Sequence, residues 1–169
     1  ILVHGHAFGE ALQERLGSDY EVVLAMRYGR PSIAEGIARL RAGGGISKLV
    51  AFPLFPHLAS ATTGTAIEAV SAELEAASWA PRLDTVPPFF ADTGYVRALA
   101  GSALPTLAQI CPDHLLFSFH GLPESHVRRA DPSAEHCLES PDCCASVNPR
   151  SQHCYRAQCF ETARLTAAE

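Results

Sequence analysis

No run of lysines and arginines occurs anywhere in the chain, and 13 basic against 18 acidic residues leave a net charge of −5. The electrostatic footprint expected of a protein that binds nucleic acid or anionic lipid is therefore missing. Long apolar stretches are absent as well: none approaches the roughly 20 residues of a membrane-spanning helix, and no charged start precedes a short apolar run as in a secretory signal. A cytoplasmic protein is the expectation. No internal repeat or low-complexity tract interrupts the chain. The first residue is Ile1 rather than methionine, which leaves room for a leader or a preceding element. What is present is apolar enough to fold. With 47% hydrophobic residues and a mean hydropathy of +0.07, 169 residues suffice for one domain with a genuine core.

Two hydrophobic periods alternate along the chain. Phe8, Leu12 and Leu16 recur at helical spacing before Gly17, and residues 21–27 (EVVLAMR) form an apolar run of strand length. Pro31 and Ser32 open a second helix with Ile33, Ile37 and Leu40 on one face. Gly43, Gly44 and Gly45 close it, ahead of a strand over 48–55. A third helix over 64–78, a strand over 83–86, a fourth helix capped by Asp92 and running to about 109, and a last strand over 114–119 continue the pattern. Pro105 predicts a kink in the fourth helix, and residues 159–168 supply a fifth. The expected fold is α/β, a doubly wound parallel four-stranded sheet with helices on both faces. Residues 1–132 form that domain, 133–159 a cysteine-rich insert, and 159–169 the start of a further helix.

Functional loops of such a sheet leave the carboxyl ends of its strands, so three loops are expected to share one edge. The first carries Arg27 and Tyr28, which could clamp a planar or acidic ligand; an Arg at a strand end can equally be solvated. The second, FPHLASATTG (residues 55–64), brings Ser60, Thr62 and Thr63 to a helix start, where hydroxyls and backbone N–H groups suit a carboxylate. The plainer reading is a helix cap. The third begins with His120, at the junction of the apolar run LLFSF and the turn Gly121-Leu122-Pro123. A structural histidine is the alternative there, and the convergence of the three loops favours function.

Cys137, Cys143, Cys144, Cys154 and Cys159 fall within 23 residues, in a segment too rich in Pro, Ser and Asn for an ordinary helix. Such crowding suggests a metal or cluster. Structural zinc suits four thiolates, or three with His136 or His153, each beside a cysteine. Inert thiols remain open, and a disulfide framework fits poorly without a secretory signal. Cys111, far from the group, is expected to be a small buried side chain.

The runs MRYGRPSI (26–33), FPLFPHLASATTG (52–64) and FSFHGLPESHVRRADP (117–132) resemble, in order, the signature segments of ferrochelatase, the family that inserts ferrous iron into a porphyrin at the end of haem synthesis. The resemblance implies a class II chelatase-like half: members begin with a strand before the position of Ile1 and continue into a second, similar half after Glu169. Metallation must remove two pyrrole protons while a divalent metal is delivered, work for a neutral imidazole as proton acceptor or metal ligand. The resemblance gives that role to His120, with an acidic partner expected from the second half. It sets Arg27 and Tyr28 at the porphyrin edge, and Ser60, Thr62 and Thr63 in the loop that contacts the macrocycle and its propionates. Where many relatives carry tyrosines and an amide, this loop has Phe55, Leu58 and His57.

The cysteine segment is an insertion of about twenty residues compared with many bacterial relatives, between Asp131-Pro132 and the helix CFETARL. Some microbial ferrochelatases hold a [2Fe-2S] cluster on four cysteines within such a segment, and this chain resembles them. Four thiolates can hold such a unit. Because neighbouring side chains diverge in most backbone conformations, one of Cys143 and Cys144 is expected to bind. Two alternatives stand beside this reading: a cobalt or sirohydrochlorin-type chelatase of the same fold, and a non-catalytic iron–sulfur redox-sensing module. The RYG and SATTG segments favour ferrochelatase. Protoporphyrin and coproporphyrin are not separated, and peripheral membrane association and oligomeric state stay open.

Overall fold

The computed structural model describes residues 1–169 and divides them between two units, Ile1–Pro53 with Thr65–Val86, and Leu54–Gly64 with Pro87–Glu169. In the first unit, helix α1 (Leu2–Leu16) stops at Gly17, whose φ of 72° is a left-handed conformation that glycine adopts at little cost. Helix α2 (Ile33–Gly43) starts as expected at Ser32. The Ser32 hydroxyl accepts the Glu35 N–H at 3.1 Å while the Glu35 carboxylate accepts the Ser32 N–H at 2.7 Å, a complete capping box. Strands β1 (Lys48–Ala51) and β2 (Arg82–Thr85) flank helix α3 (Thr65–Ala76) and pair in parallel, with Leu49 opposite Leu83. Ile37, Leu49 and Leu74 form the buried core, backed by Ile33 and Leu40 from the predicted face of α2.

Helices and a parallel sheet are combined as expected of an α/β fold, and the sheet is formed by two strands, β1 and β2, rather than four. Residues 21–27 lie against the helices, close enough that a Cβ on Gly36 would stand 3.3 Å from Val23. Only Met26 gains a bridge partner, Ser32, and its N–H goes to the Pro31 carbonyl at 2.7 Å. The Val22 N–H is taken by the Gln13 side chain at 2.8 Å. Residues 114–119 form no ladder either, and Leu116 is 90% exposed. An apolar run becomes a strand only where a neighbouring strand offers matching N–H and C=O groups, and neither run has one.

In the second unit, residues Ser60–Gly64 wind into one wide π-helical turn. Helix α4 (Thr93–Ile110) is capped by Asp92, which accepts the Tyr95 N–H at 3.0 Å, and continues through Pro105. It ends at Cys111, which is exposed rather than buried, because the helix stops there in a left-handed conformation and the chain beyond it is exposed. A short helix α5 (Glu124–Arg129) follows Pro123. Its six residues are too few for a periodic signal. Turns carry the chain from there to helix α6 (Tyr155–Ala168), which starts earlier than the expected 159 and packs on α4. No helix is long and apolar enough to cross a membrane.

Candidate active site and thiol cluster

His120 is exposed, three residues before Pro123, the residue that precedes α5. It follows Phe119, whose ring meets the His57 ring edge-on at 5.6 Å. Arg27 and Tyr28 lie in the other unit, both exposed, with the Arg27 guanidinium 4.7 Å above the Tyr28 ring. That stacking pre-forms a flat cationic surface.

The loop expected to offer hydroxyls to an anion spends most of them on itself. Thr63 is buried, with its hydroxyl donating to the His57 carbonyl at 3.4 Å, and the half-buried Thr62 turns its hydroxyl to the Ala59 carbonyl at the same distance. The N–H groups of Thr62 and Gly64 also go to Ala59 O, at 3.1 and 3.2 Å. A π-helical turn closes hydrogen bonds that an α-helical N-terminus leaves open. Ser60 is the exposed member of the three.

Behind this loop stands a polar network that sequence reasoning missed. His57 is buried, and burial holds its pKa below the ordinary histidine value, so the ring is neutral. Its Nε2 lies 2.9 Å from Thr162 Oγ1 on α6. One turn earlier on the same helix, Gln158 accepts the Leu58 N–H at 2.6 Å and donates to the Gln152 carbonyl at 2.6 Å. A polar pair spaced i, i+4 on a helix that otherwise buries Ala157 and Cys159 was the available signal.

Cys137, Cys143, Cys144 and Cys154 gather with Val127 and Ala157 in one buried core. Cys143 and Cys144 do not diverge: they sit in a turn, where side chains do not alternate, and their sulfurs are 3.6 Å apart. Cys159 is buried beside Tyr155 on α6, outside that core. None of the cysteines is disulfide-bonded. Burial, then the neighbouring thiols, push Cys137 and Cys144 up to about 12, so both are protonated at neutral pH. Two donors face the sulfurs: the Leu138 N–H reaches Cys143 at 3.4 Å, and Arg156 Nη1 lies 3.9 and 3.7 Å from Cys143 and Cys144.

Asp131 organises the approach to Cys137. Its carboxylate accepts the N–H groups of Ser133, His136 and Cys137 at 2.8 to 2.9 Å and the Ser133 hydroxyl at 2.7 Å. Those bonds, led by the one from Cys137, hold its pKa well below the usual carboxylate range. No three His, Cys, Asp and Glu side chains are arranged about one point as metal ligands. The donor set nonetheless fits a thiophilic metal centre in type, number and burial: four thiols share one buried core, with N–H groups directed at sulfur.

Comparison with known proteins bears on the whole chain. The family model described as ferrochelatase matches residues 1–169. A ferrochelatase of Ectopseudomonas mendocina (strain ymp) is 44% identical over 160 residues, covering 92% of this chain and 46% of that protein. One from Opitutus terrae is 43% identical over 170 residues, covering 99% and 48%, and one from Coxiella burnetii 34% identical over 167, covering 99% and 46%. The chain spans about half the length of the curated relatives it matches. With the match running from the first residue to the last through all three signature segments, the chain belongs to the ferrochelatase family.

Proposed function

We propose that the full-length protein is a ferrochelatase that inserts ferrous iron into protoporphyrin or coproporphyrin in the cytoplasm, with release of two protons. The observation that carries this reading is His120, exposed at the head of Gly121-Leu122-Pro123 inside a family match covering the chain. Its imidazole accepts a pyrrole proton or ligates the incoming iron, and exposure leaves both ring nitrogens able to serve. Arg27, flattened on Tyr28, suits the edge of an anionic macrocycle: the guanidinium pairs with a propionate while the aromatic ring offers an apolar face. Ser60 presents a hydroxyl to the substrate, and Thr62 and Thr63 hold the turn that carries it. Residues 21–27 and 114–119, both apolar and of strand length, complete a doubly wound four-stranded sheet in the full-length protein. In it, 1–132 forms the chelatase half, 133–159 the insert, and 159–169 the helix leading onward.

Cys137, Cys143, Cys144 and Cys154 are assigned as ligands of a [2Fe-2S] cluster, leaving Cys159 outside the set. When bound, that group supplies one-electron redox chemistry. The chain's contribution is to collect four thiols, direct the Leu138 N–H and Arg156 toward their sulfurs, and fix the Cys137 turn with Asp131. One observation favours zinc on three cysteines and a histidine instead: His136 Nε2, beside Cys137, is buried without a hydrogen-bond partner.

Two measurements on the full-length protein test these assignments. Iron insertion followed by porphyrin fluorescence is expected to fall at least about a thousandfold in His120→Ala with the circular dichroism spectrum unchanged, and retained turnover would refute the role. Anaerobic protein is expected to show visible bands that bleach with dithionite. A colourless protein containing one zinc would decide for the alternative.

A further inference from the structure

We propose that His57 is a positioning residue for His120, and that its link to Thr162 ties the placement of His120 to helix α6. The inference rests on the catalytic role proposed for His120. Three contacts carry it. The His57 ring stacks edge-on against Phe119, the residue preceding His120, at 5.6 Å, and against Tyr155, the first residue of α6, at 5.7 Å. Its third contact is the hydrogen bond to Thr162. The Thr162 hydroxyl has a single proton, and its shorter acceptor bond is to the Phe90 carbonyl at 2.8 Å. Thr162 Oγ1 therefore accepts from His57, which fixes the proton on Nε2 and the plane of the ring.

Orientation is what this arrangement adds. An apolar side chain at position 57 would fill the same space without the cost of burying an imidazole, but it could rotate among rotamers. Thr162 is 2% exposed and Gln158 1%, so α6 holds both the ring of His57 and the backbone of Leu58 through one rigid face. That helix is capped by Cys154, a member of the thiol core. A change in the thiol core that shifts the start of α6 thus reaches Tyr155, His57 and Phe119 in turn.

The test uses the full-length enzyme with Thr162→Val and Thr162→Ser. Valine keeps the volume and removes the acceptor; serine restores it. In Thr162→Val, kcat for iron insertion is expected to fall about tenfold with the porphyrin KM within about twofold of normal, as displacement of a reacting group predicts. The ring resonances of His120, followed in protein labelled at histidine, are expected to shift in Thr162→Val and return in Thr162→Ser. Unchanged kcat and unchanged His120 resonances in Thr162→Val would overturn the proposal, as would a Thr162→Ser variant no better than Thr162→Val. Should Thr162→Val fail to fold, His57→Gln replaces it, keeping an amide donor for Thr162 but losing the ring. Shifted His120 resonances then support the link, and unshifted ones refute it. Because the resonances report position irrespective of turnover, and His120→Ala alone tests the catalytic role, the failure of one reading is distinguishable from that of the other.

Discussion

Ile37, Leu49 and Leu74 fill the core of the first unit, whereas Cys137, Cys143, Cys144 and Cys154 stand around Val127 and Ala157 in the second. The first set comes from α2, β1 and α3, where each side chain is delivered by a regular period; each such burial is worth roughly 1.5 to 3 kcal/mol. The second set comes almost wholly from turns. Its side chains are small, and its order comes from polar staples: Asp131 gathers the backbone before Cys137, and the fully buried Ser151 donates to the Ser146 carbonyl at 2.9 Å and accepts the Asn148 N–H at 3.0 Å. One core is stabilised by the area it hides. The other is ordered by these polar staples, and on the cluster reading proposed above, ligation would displace the thiol protons and cross-link the turns.

Substitution in the thiol core should separate the two most sharply. Cys154→Ser in the full-length protein is expected to abolish the visible absorption and the bound iron, and to lower the melting temperature by more than any single change in the aliphatic core. Metal analysis and thermal scans check this. Ile37→Ala should cost about 3 kcal/mol through the cavity it leaves, measured by denaturant unfolding, with absorption and metal content unchanged. If Ile37→Ala also released the metal, the two cores would not be independent.

Asp131→Asn is expected to have an intermediate effect with a pH signature. The carboxylate titrates below its ordinary value of about 3.9 when folded, so its stabilisation is complete above about pH 5 and is lost as pH falls through the folded-state value. Wild-type stability should therefore decline in acid below pH 4 more steeply than that of Asp131→Asn, which should also hold its metal less firmly at neutral pH. Parallel acid profiles would remove Asp131 from the staple. Smallest of all, Ser32→Ala should cost about 1 kcal/mol by removing one arm of the capping box, with iron insertion unaffected.

Helix starts were readable wherever a capping side chain and an apolar period coincide, as at Ser32 and Asp92. Strands were readable only where a partner exists: Lys48–Ala51 and Arg82–Thr85 pair, while the equally apolar 21–27 and 114–119 do not. At the candidate site, His120 and the cysteines announce themselves by residue type and crowding. His57, Gln158 and Thr162 do not, because their part depends on 105 and 100 residues of sequence separation being closed by the fold.

Composition and the three signature segments were thus enough to identify the family, and the cysteine spacing to mark a thiol-rich segment, since each is a property of residues close together along the chain. Three things waited for the tertiary structure. Cys143 and Cys144 point the same way because a turn, not an extended chain, carries them. Thr62 and Thr63 serve their own loop because a π-helical turn brings carbonyls within reach. Which cysteines share a core follows from how the turns between them fold, and that His57 stands between Phe119 and α6 follows from contacts between segments far apart in sequence, which no local pattern encodes.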